Sequence, residues 1–375
     1  MSSGGVKRHF EGVEDPRTGN AKEHLLIDII VIAIMAVICG ADTWVEIEAF
    51  GKAKQEWLES FLELPNGVPS HDTFGRVFSL LNPEQFQAGF RSWIGEVMKK
   101  TEGEVIAIDG KTLRRSHDQG IGKGAITMVS AWATGNQLVL GQEKVDSKSN
   151  EITAIPQLLD LLNIKGCIVT IDAMGTQRAI AGQIIEQEGD YLLSLKGNQG
   201  HLHEDLVEVF TYAQERNFEG MTSDYCRTVN KGHGRIEIRE CWTLSQLDTF
   251  DYIRHLDAWP GLQTAVMIRR ERRIGDQREI DEVYYISSLP PIASPILEAV
   301  RDHWKIENVL HWVLDIAFRE DESRIRKGFA DQNFSLLRQI ALSLLKQETS
   351  ARCGTHAKRL KAGWDHSYLL KVLTL

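Results

Sequence analysis

The chain has 375 residues, 42% of them apolar and 25% charged, with a formal net charge of −9. That length supports two or three domains with substantial cores, and the composition excludes disordered and fibrous classes. The acidic balance counts against a nucleic-acid partner but does not exclude one, because local patches steer polyanions more than totals do.

Cys39, Cys167, Cys226, Cys241 and Cys353 are scattered and form no C-x-x-C pair. This excludes the common zinc-ribbon spacings, offers no disulfide framework and points to a reducing cytoplasm. The first residues lack the apolar run of a signal peptide. The most apolar segment, residues 25–41, is interrupted by Asp28, and its uncharged remainder falls short of the about 18–20 residues of a membrane span. A buried core helix is expected there, with no membrane partner.

Residues 22–83 read as helical. Leu26, Ile29, Ile30, Ala33 and Val37 recur at helical spacing, and Gly40 offers a stop. Segments 44–54 and 55–64 read as amphipathic helices, and Pro65-Asn66-Gly67 as a turn. Ser70 is placed to cap a helix through Phe74, Val77, Phe78 and Leu81 that Asn82-Pro83 ends. Short helices joined by tight turns suit either a DNA-reading helix-turn-helix or a scaffold without groove contact.

From residue 104 the pattern changes. Strands are expected at 105–109, 126–133 and 137–143, then a helix at 150–162, a strand at 167–172, a helix at 177–188 and a strand at 191–195. This order describes a mixed α/β sheet. Residues 200–291 begin with a helix at 203–214 and continue as period-two runs at 235–239, 264–269 and 283–288, a mostly β insertion. Helices follow at 295–318 and 331–346.

Two β-branched runs each stop at an aspartate. Residues 105–108 lead to Asp109 and residues 168–171 to Asp172, and the C-terminal ends of such strands face the crevice where α/β sheets bind ligands. Glu307 lies in a largely apolar helical stretch, where burial on more than one side is expected. A buried carboxylate there needs a basic partner or a metal. Three converging acids repel one another unless a cation neutralises them, and hard divalent ions take oxygen ligands. His303, Glu307 and His311 fall at i, i+4 and i+8 on one helix face. A zinc site is the rival reading, without the H-E-x-x-H spacing or a cysteine cluster to support it.

Lys111, Arg114 and Arg115 put positive charge beside Asp109, as a phosphodiester would require. Lys196 and Asn198 flank glycines at a strand end, His233 and Arg235 sit in the insertion, and Arg324, Arg326 and Lys327 form a later basic run. For each, a solvated turn or face competes with DNA contact, as it does for the clusters at 269–273 and 358–361. No G-x-S-x-G, Walker loop or dinucleotide fingerprint occurs.

Five motifs in order carry a resemblance: Ala107-Ile-Asp-Gly-Lys-Thr-Leu-Arg114, Ser149-Asn-Glu-Ile-Thr-Ala-Ile-Pro156, Asp172-Ala-Met-Gly175, Lys196-Gly-Asn-Gln-Gly200 and His303-Trp-Lys-Ile-Glu-Asn-Val-Leu-His-Trp312. Together they resemble the DDE transposases of bacterial insertion sequences, in the branch that includes the H-repeat-associated proteins, over nearly the whole chain. The resemblance implies an α/β, RNase H-like mixed sheet with flanking helices and a β-rich insertion at about 200–291. It implies a catalytic domain at 96–375, preceded by a small all-α domain at 1–95.

It also implies that Asp109, Asp172 and Glu307 are the catalytic acids and metal ligands for two Mg²⁺ ions, with Mn²⁺ able to substitute. Double-stranded DNA is the implied partner, as terminal inverted repeats and as target, with a homodimer in the active complex. Lys111, Arg114, Arg115, Lys196, Asn198, His233, Arg235, His303, His311, Arg324, Arg326 and Lys327 are then the candidate DNA contacts. The implied activity is cleavage of element ends and joining of the 3′-OH to target DNA. Its rivals are a non-catalytic DNA-binding descendant and a nuclease that never joins. The sequence departs from related transposases at Val300, His303 and Leu314, where those carry tyrosine, arginine and lysine.

Overall fold

A computed structural model describes residues 5–19, 22–98, 103–118, 120, 122–145, 149–232, 234–250 and 253–373, apart from the Asn198 side chain. The N-terminal segment forms α1 (Leu26–Ile38), α2 (Trp44–Ala53), α3 (Gln55–Leu58), α4 (His71–Leu80) and α5 (Pro83–Val97). Aliphatic residues surround the whole circumference of α1, and nearly all of it is buried, as such a helix requires. Asp28 is tolerated inside because its carboxylate accepts the Leu64 N–H at 3.0 Å. Thr43 and Ser70 cap α2 and α4 through their hydroxyls. Asn82-Pro83 does more than end α4: Asn82 accepts the N–H groups of Glu84 and Gln85, and Pro83 opens α5, a helix the sequence reading did not contain.

Among the described residues, nine strands form one sheet. They are β1 (Val105–Thr112), β2 (Thr127–Ala133), β3 (Leu138–Lys144), β4 (Ile168–Ile171), β5 (Asp190–Leu195), β6 (Ser223–Gly232), β7 (Arg235–Leu244), β8 (Thr264–Ile274) and β9 (Gln277–Ser287), in the order β3-β2-β1-β4-β5-β9-β8-β7-β6. β1 to β3 are an antiparallel meander, while β4 runs parallel to β1 and β5 parallel to β4. This is the RNase H-like arrangement. The β-rich insertion is no separate lobe. Its four strands continue the same sheet, because β9 pairs antiparallel with β5.

Helices cover both faces. α6 (Glu151–Asp160) packs on β2 and β3, and α7 (Arg178–Glu186) packs on β5 and on α6. α8 (His201–Glu215) lies against β9, with Phe210 beside Tyr284. On the other face, α9 (Ala293–His303) lies across β1, β4 and β5, followed by a π-helical turn (Ile306–His311), α10 (Trp312–Phe318) and α11 (Ala330–Gln347). α12 (Thr355–Trp364) and α13 (His366–Leu373) finish the chain.

The sequence reading separates residues 1–95 from 96–375. In the structure α11 packs on β3 and also on α1, α4 and α5, and one hydrophobic core runs through both segments. Lys358 and Arg359, candidates for a basic surface, are buried instead. Lys358 Nζ donates to the Leu345 and Glu348 carbonyls at the end of α11. Arg359 donates to the Val37 carbonyl in the last turn of α1, to the Ala317 carbonyl in α10 and to Asp42. Among the described residues no helix is long and apolar enough to cross a membrane.

Candidate active site

Side-chain alternation along β1 sets the site. Ile106, Ile108 and Gly110 turn toward α6, whereas Val105, Ala107, Asp109 and Lys111 turn toward the α9–α10 face. β1 does not stop at Asp109 as expected. It runs on to Thr112, with Asp109 paired across from Ser130. In the parallel pair Ile108 faces Ile171, so the next residue of each strand, Asp109 and Asp172, emerges side by side on one face. Asp172 is locked by its own turn: its Oδ1 accepts the N–H groups of Met174 at 3.1 Å and Gly175 at 3.4 Å. Gly175 is required there, since a Cβ would lie 2.4 Å from Ile171 and 2.6 Å from Ile155.

Glu307 comes from the π-helical turn, in which the Trp312 N–H reaches back five residues to the Glu307 carbonyl. Such turns insert one extra residue into a helix and recur at functional sites. The Glu307 side chain is 55% exposed, which corrects the expectation of burial. It stands at the open side of the cluster, and Asp109, 17% exposed, is the enclosed acid. His311 closes the group from the same turn. Its Nδ1 lies 3.4 Å from Asp109 Oδ2 and 4.0 Å from Glu307 Oε2.

A fourth acid, not among the predicted site residues, joins them. The Glu151 carboxylate at the start of α6 occupies the space over Gly110, where a Cβ would meet its Oε1 at 2.0 Å. The signal that could have found it was the glycine after Asp109: a residue without a Cβ leaves a cradle, and an acid fills it.

The electrostatics follow from this crowding. Burial, and then the Glu307 carboxylate, pushes the Asp109 carboxyl up to about 8. Burial and the Asp172 charge raise Glu151 as well. Burial, with the Lys111 charge behind it, pushes the His311 imidazole down to about 4, and burial does the same to His303. Both histidines are therefore neutral near pH 7.

A cluster of acids that repel one another fits a divalent cation. Asp109, Glu307 and His311 each offer a donor atom, all within 4.8 Å of one another.

The other predicted residues divide. Lys111 is not a surface cation. Its Nζ, under α10, bonds to Asp315, to Glu320 at 3.0 Å and to the His311 carbonyl at 3.4 Å, with Glu320 itself buried against Arg338. Its expected phosphate contact is thus replaced by a structural one. His311 is likewise buried, with its Nδ1 turned to Asp109. His303 Nδ1 lies 3.0 Å from the Thr170 hydroxyl, two residues before Asp172.

Arg114 and Arg115 are exposed, Arg114 with Asp321 at 3.2 Å. The later basic run meets them, because Arg326 Nε donates to the Arg115 carbonyl at 2.9 Å and Arg324 and Lys327 are exposed nearby in sequence. Arg326 thus joins two clusters some two hundred residues apart at Arg115. Lys196 is exposed and lines a small recess with Asp172, Arg270, His303 and Trp304. Arg235 lies at the tip of the β6–β7 hairpin, paired with Glu237 at 2.9 Å, away from this group in the sheet order. His233 and the Asn198 side chain lie outside the described residues.

A family model described as the transposase DDE domain matches residues 100–344, and one described as DDE_Tnp_1-associated matches residues 7–94. The chain belongs to the DDE transposase family. Relatives in Escherichia coli strain K12 include "H repeat-associated putative transposase YhhI" and "Putative protein YbfL", each 41% identical over 98% of this chain and 97% of its own length. "Putative transposase YncI" of Escherichia coli O157:H7 is 41% identical over all of this chain and 95% of its own. A solved piggyBac transposase synaptic complex with hairpin DNA aligns over 99% of this chain and 78% of that chain, at 11% identity and a TM-score of 0.43, too slight a likeness to argue from. Membership in this family implies use of a divalent metal.

Proposed function

We propose that this transposase cleaves the ends of an insertion sequence and joins the freed 3′-OH to target DNA at one site built on Asp109, Asp172 and Glu307, with Mg²⁺ as the metal and Mn²⁺ able to replace it. The observation that carries the reading is the β1–β4 register, which sets Asp109 beside Asp172 on the face that the Glu307 turn covers. Bound there, two divalent ions would supply an activated water and neutralise the departing 3′-oxygen.

The chain's own groups do the rest. Asp109 holds a fixed position on β1 and Asp172 in the turn that follows β4, and Glu307 stands half exposed at the open side of the cluster. Exposed Arg114, Arg115, Arg324 and Lys327 are placed to bind backbone phosphates and set register rather than sequence. Lys196, beside Asp172, suits a phosphate nearer the scissile bond. In the first step water adds to phosphorus as the P–O3′ bond breaks, leaving a 3′-OH on the element end. In the second, that hydroxyl adds to a target phosphorus and the target 3′-oxygen leaves. A homodimer would present two ends together.

DNA flanking the gene supplies the end sequences for the test. Asp109→Asn should lower end cleavage at least about 10³-fold while end binding stays within about twofold. Cleavage equal to that of the wild type removes Asp109 from the mechanism. Joining of a labelled end to plasmid separates this reading from a nuclease that stops after hydrolysis.

A further inference from the structure

We infer that His311 is a metal ligand, so that one divalent ion of the proposed site is held by Asp109, Glu307 and an imidazole nitrogen. The inference rests on the metal-site reading above and adds a nitrogen donor to an otherwise all-carboxylate set.

Three observations carry it. The first is spacing. His311 Nδ1 is 3.4 Å from Asp109 Oδ2 and 4.0 Å from Glu307 Oε2. An octahedral ion with bonds of about 2.1 Å holds neighbouring donors about 3 Å apart and opposite donors about 4.2 Å apart. Both distances from His311 fall in that range, and all three donor atoms lie within 4.8 Å of one another, so small side-chain movements bring them to one ion.

The second is the state of the ring. His311 is 6% exposed, and its Nε2 has no hydrogen-bond partner among the described residues. Packing holds it, and its other nitrogen, Nδ1, faces the Asp109 and Glu307 carboxylates. A surface histidine serving DNA would be free to swing, and this one is not. The third is its backbone. The carbonyl of His311 lies 3.4 Å from Lys111 Nζ, which is also bonded to Asp315 and Glu320. Lys111 thereby fixes the turn that carries both Glu307 and His311.

The chemistry has a consequence. Imidazole favours borderline ions over hard ones, whereas carboxylate and water suit Mg²⁺ and Ca²⁺. A site with one nitrogen should prefer Mn²⁺ to Mg²⁺ more strongly than a site of three carboxylates, and should take Ca²⁺ poorly.

The test is Mn²⁺ titrated into the full-length protein without DNA. Continuous-wave electron paramagnetic resonance counts the bound ion, and pulsed measurements read nitrogen hyperfine coupling. The wild type should bind Mn²⁺ with ¹⁴N coupling. His311→Gln should lose the coupling and weaken binding by about tenfold or more, and Asp109→Asn should abolish the bound signal. Mn²⁺ that binds and is lost in Asp109→Asn, but shows no nitrogen coupling in the wild type, overturns the His311 assignment and leaves the metal site standing. Coupling that survives His311→Gln and disappears in His303→Gln overturns it equally. Mn²⁺ binding that ignores Asp109→Asn, or no binding at all, overturns the metal-site reading and this inference with it. If His311→Gln fails to fold, the wild-type spectrum alone decides.

Discussion

Asp109 shows what the site costs the fold. Its carboxyl moves from an ordinary value of 3.8 to about 8, chiefly through burial and the Glu307 charge. Between those values the folded chain keeps a proton that the unfolded chain has released. Stability from this group is therefore whole at acid pH and is lost as pH rises toward 8. In metal-free protein, Asp109→Asn should gain on the wild type by about 2–3 kcal/mol on going from pH 6 to pH 8, at about 1.4 kcal/mol per unit. Urea denaturation at the two pH values measures it, and a constant difference between the chains rules the effect out. The neighbouring glycine makes a second claim at this scale. A Cβ at Gly110 meets the Glu151 carboxylate at 2.0 Å, the far end of a flexible side chain. Gly110→Ala should evict that carboxylate at a stability cost of no more than about 1–2 kcal/mol, and Gly110→Ala in a Glu151→Ala background should cost nothing further. A double-mutant cycle reads the coupling. Additive effects would mean that Glu151 does not occupy the cradle in solution.

At the level of elements, the π-helical turn and β1 act as a pair. Lys111, two residues beyond Asp109 on the same strand face, reaches under α10 to Asp315 and to Glu320, whose side chain is 1% exposed. Burial alone would raise Glu320, but Lys111 and Arg338 outweigh it and hold its carboxyl below the usual range. Lys111→Met should leave that charge buried without its nearest partner and cost about 3–5 kcal/mol. A phosphate-binding lysine would instead keep its stability and lower the salt slope of DNA binding by about one unit, so chemical denaturation and salt titration of one variant separate the two roles. The sequence made the strands legible, because residues 105–108 and 168–171 are β-branched runs whose alternation needs no distant information. It hid the π turn, because spacing arguments assume a regular helix, and so it placed Glu307 inside and His311 beside DNA. β6 was invisible for another reason. Most of its side chains are exposed, so it carries no apolar period to read. Lys111 was misread because a lysine next to an acid looks the same whether it faces a phosphate or a buried glutamate.

For the whole molecule, the N-terminal helices and the catalytic sheet share one hydrophobic core. α1 is buried on every side, and the Val37 carbonyl in its last turn is bonded by Arg359 from α12, which also binds Asp42 and the Ala317 carbonyl of α10. No local signal says which helix another will meet, so the core shared by residues 1–95 and 96–375 was not legible in the sequence. Thermal unfolding should show a single transition. Arg359→Leu should lower stability by about 3 kcal/mol or more, by stranding Asp42 and the Ala317 carbonyl. Two separable transitions in the wild type would contradict the shared core. The central claim is that acids from β1, β4 and the π turn hold divalent ions on one face of the sheet. Anomalous diffraction from crystals soaked in Mn²⁺ tests it most directly. The account predicts a peak within bonding distance of both Asp109 and Glu307, absent in crystals of Asp109→Asn. Peaks only elsewhere, with these carboxylates bonded to basic side chains instead, would contradict it.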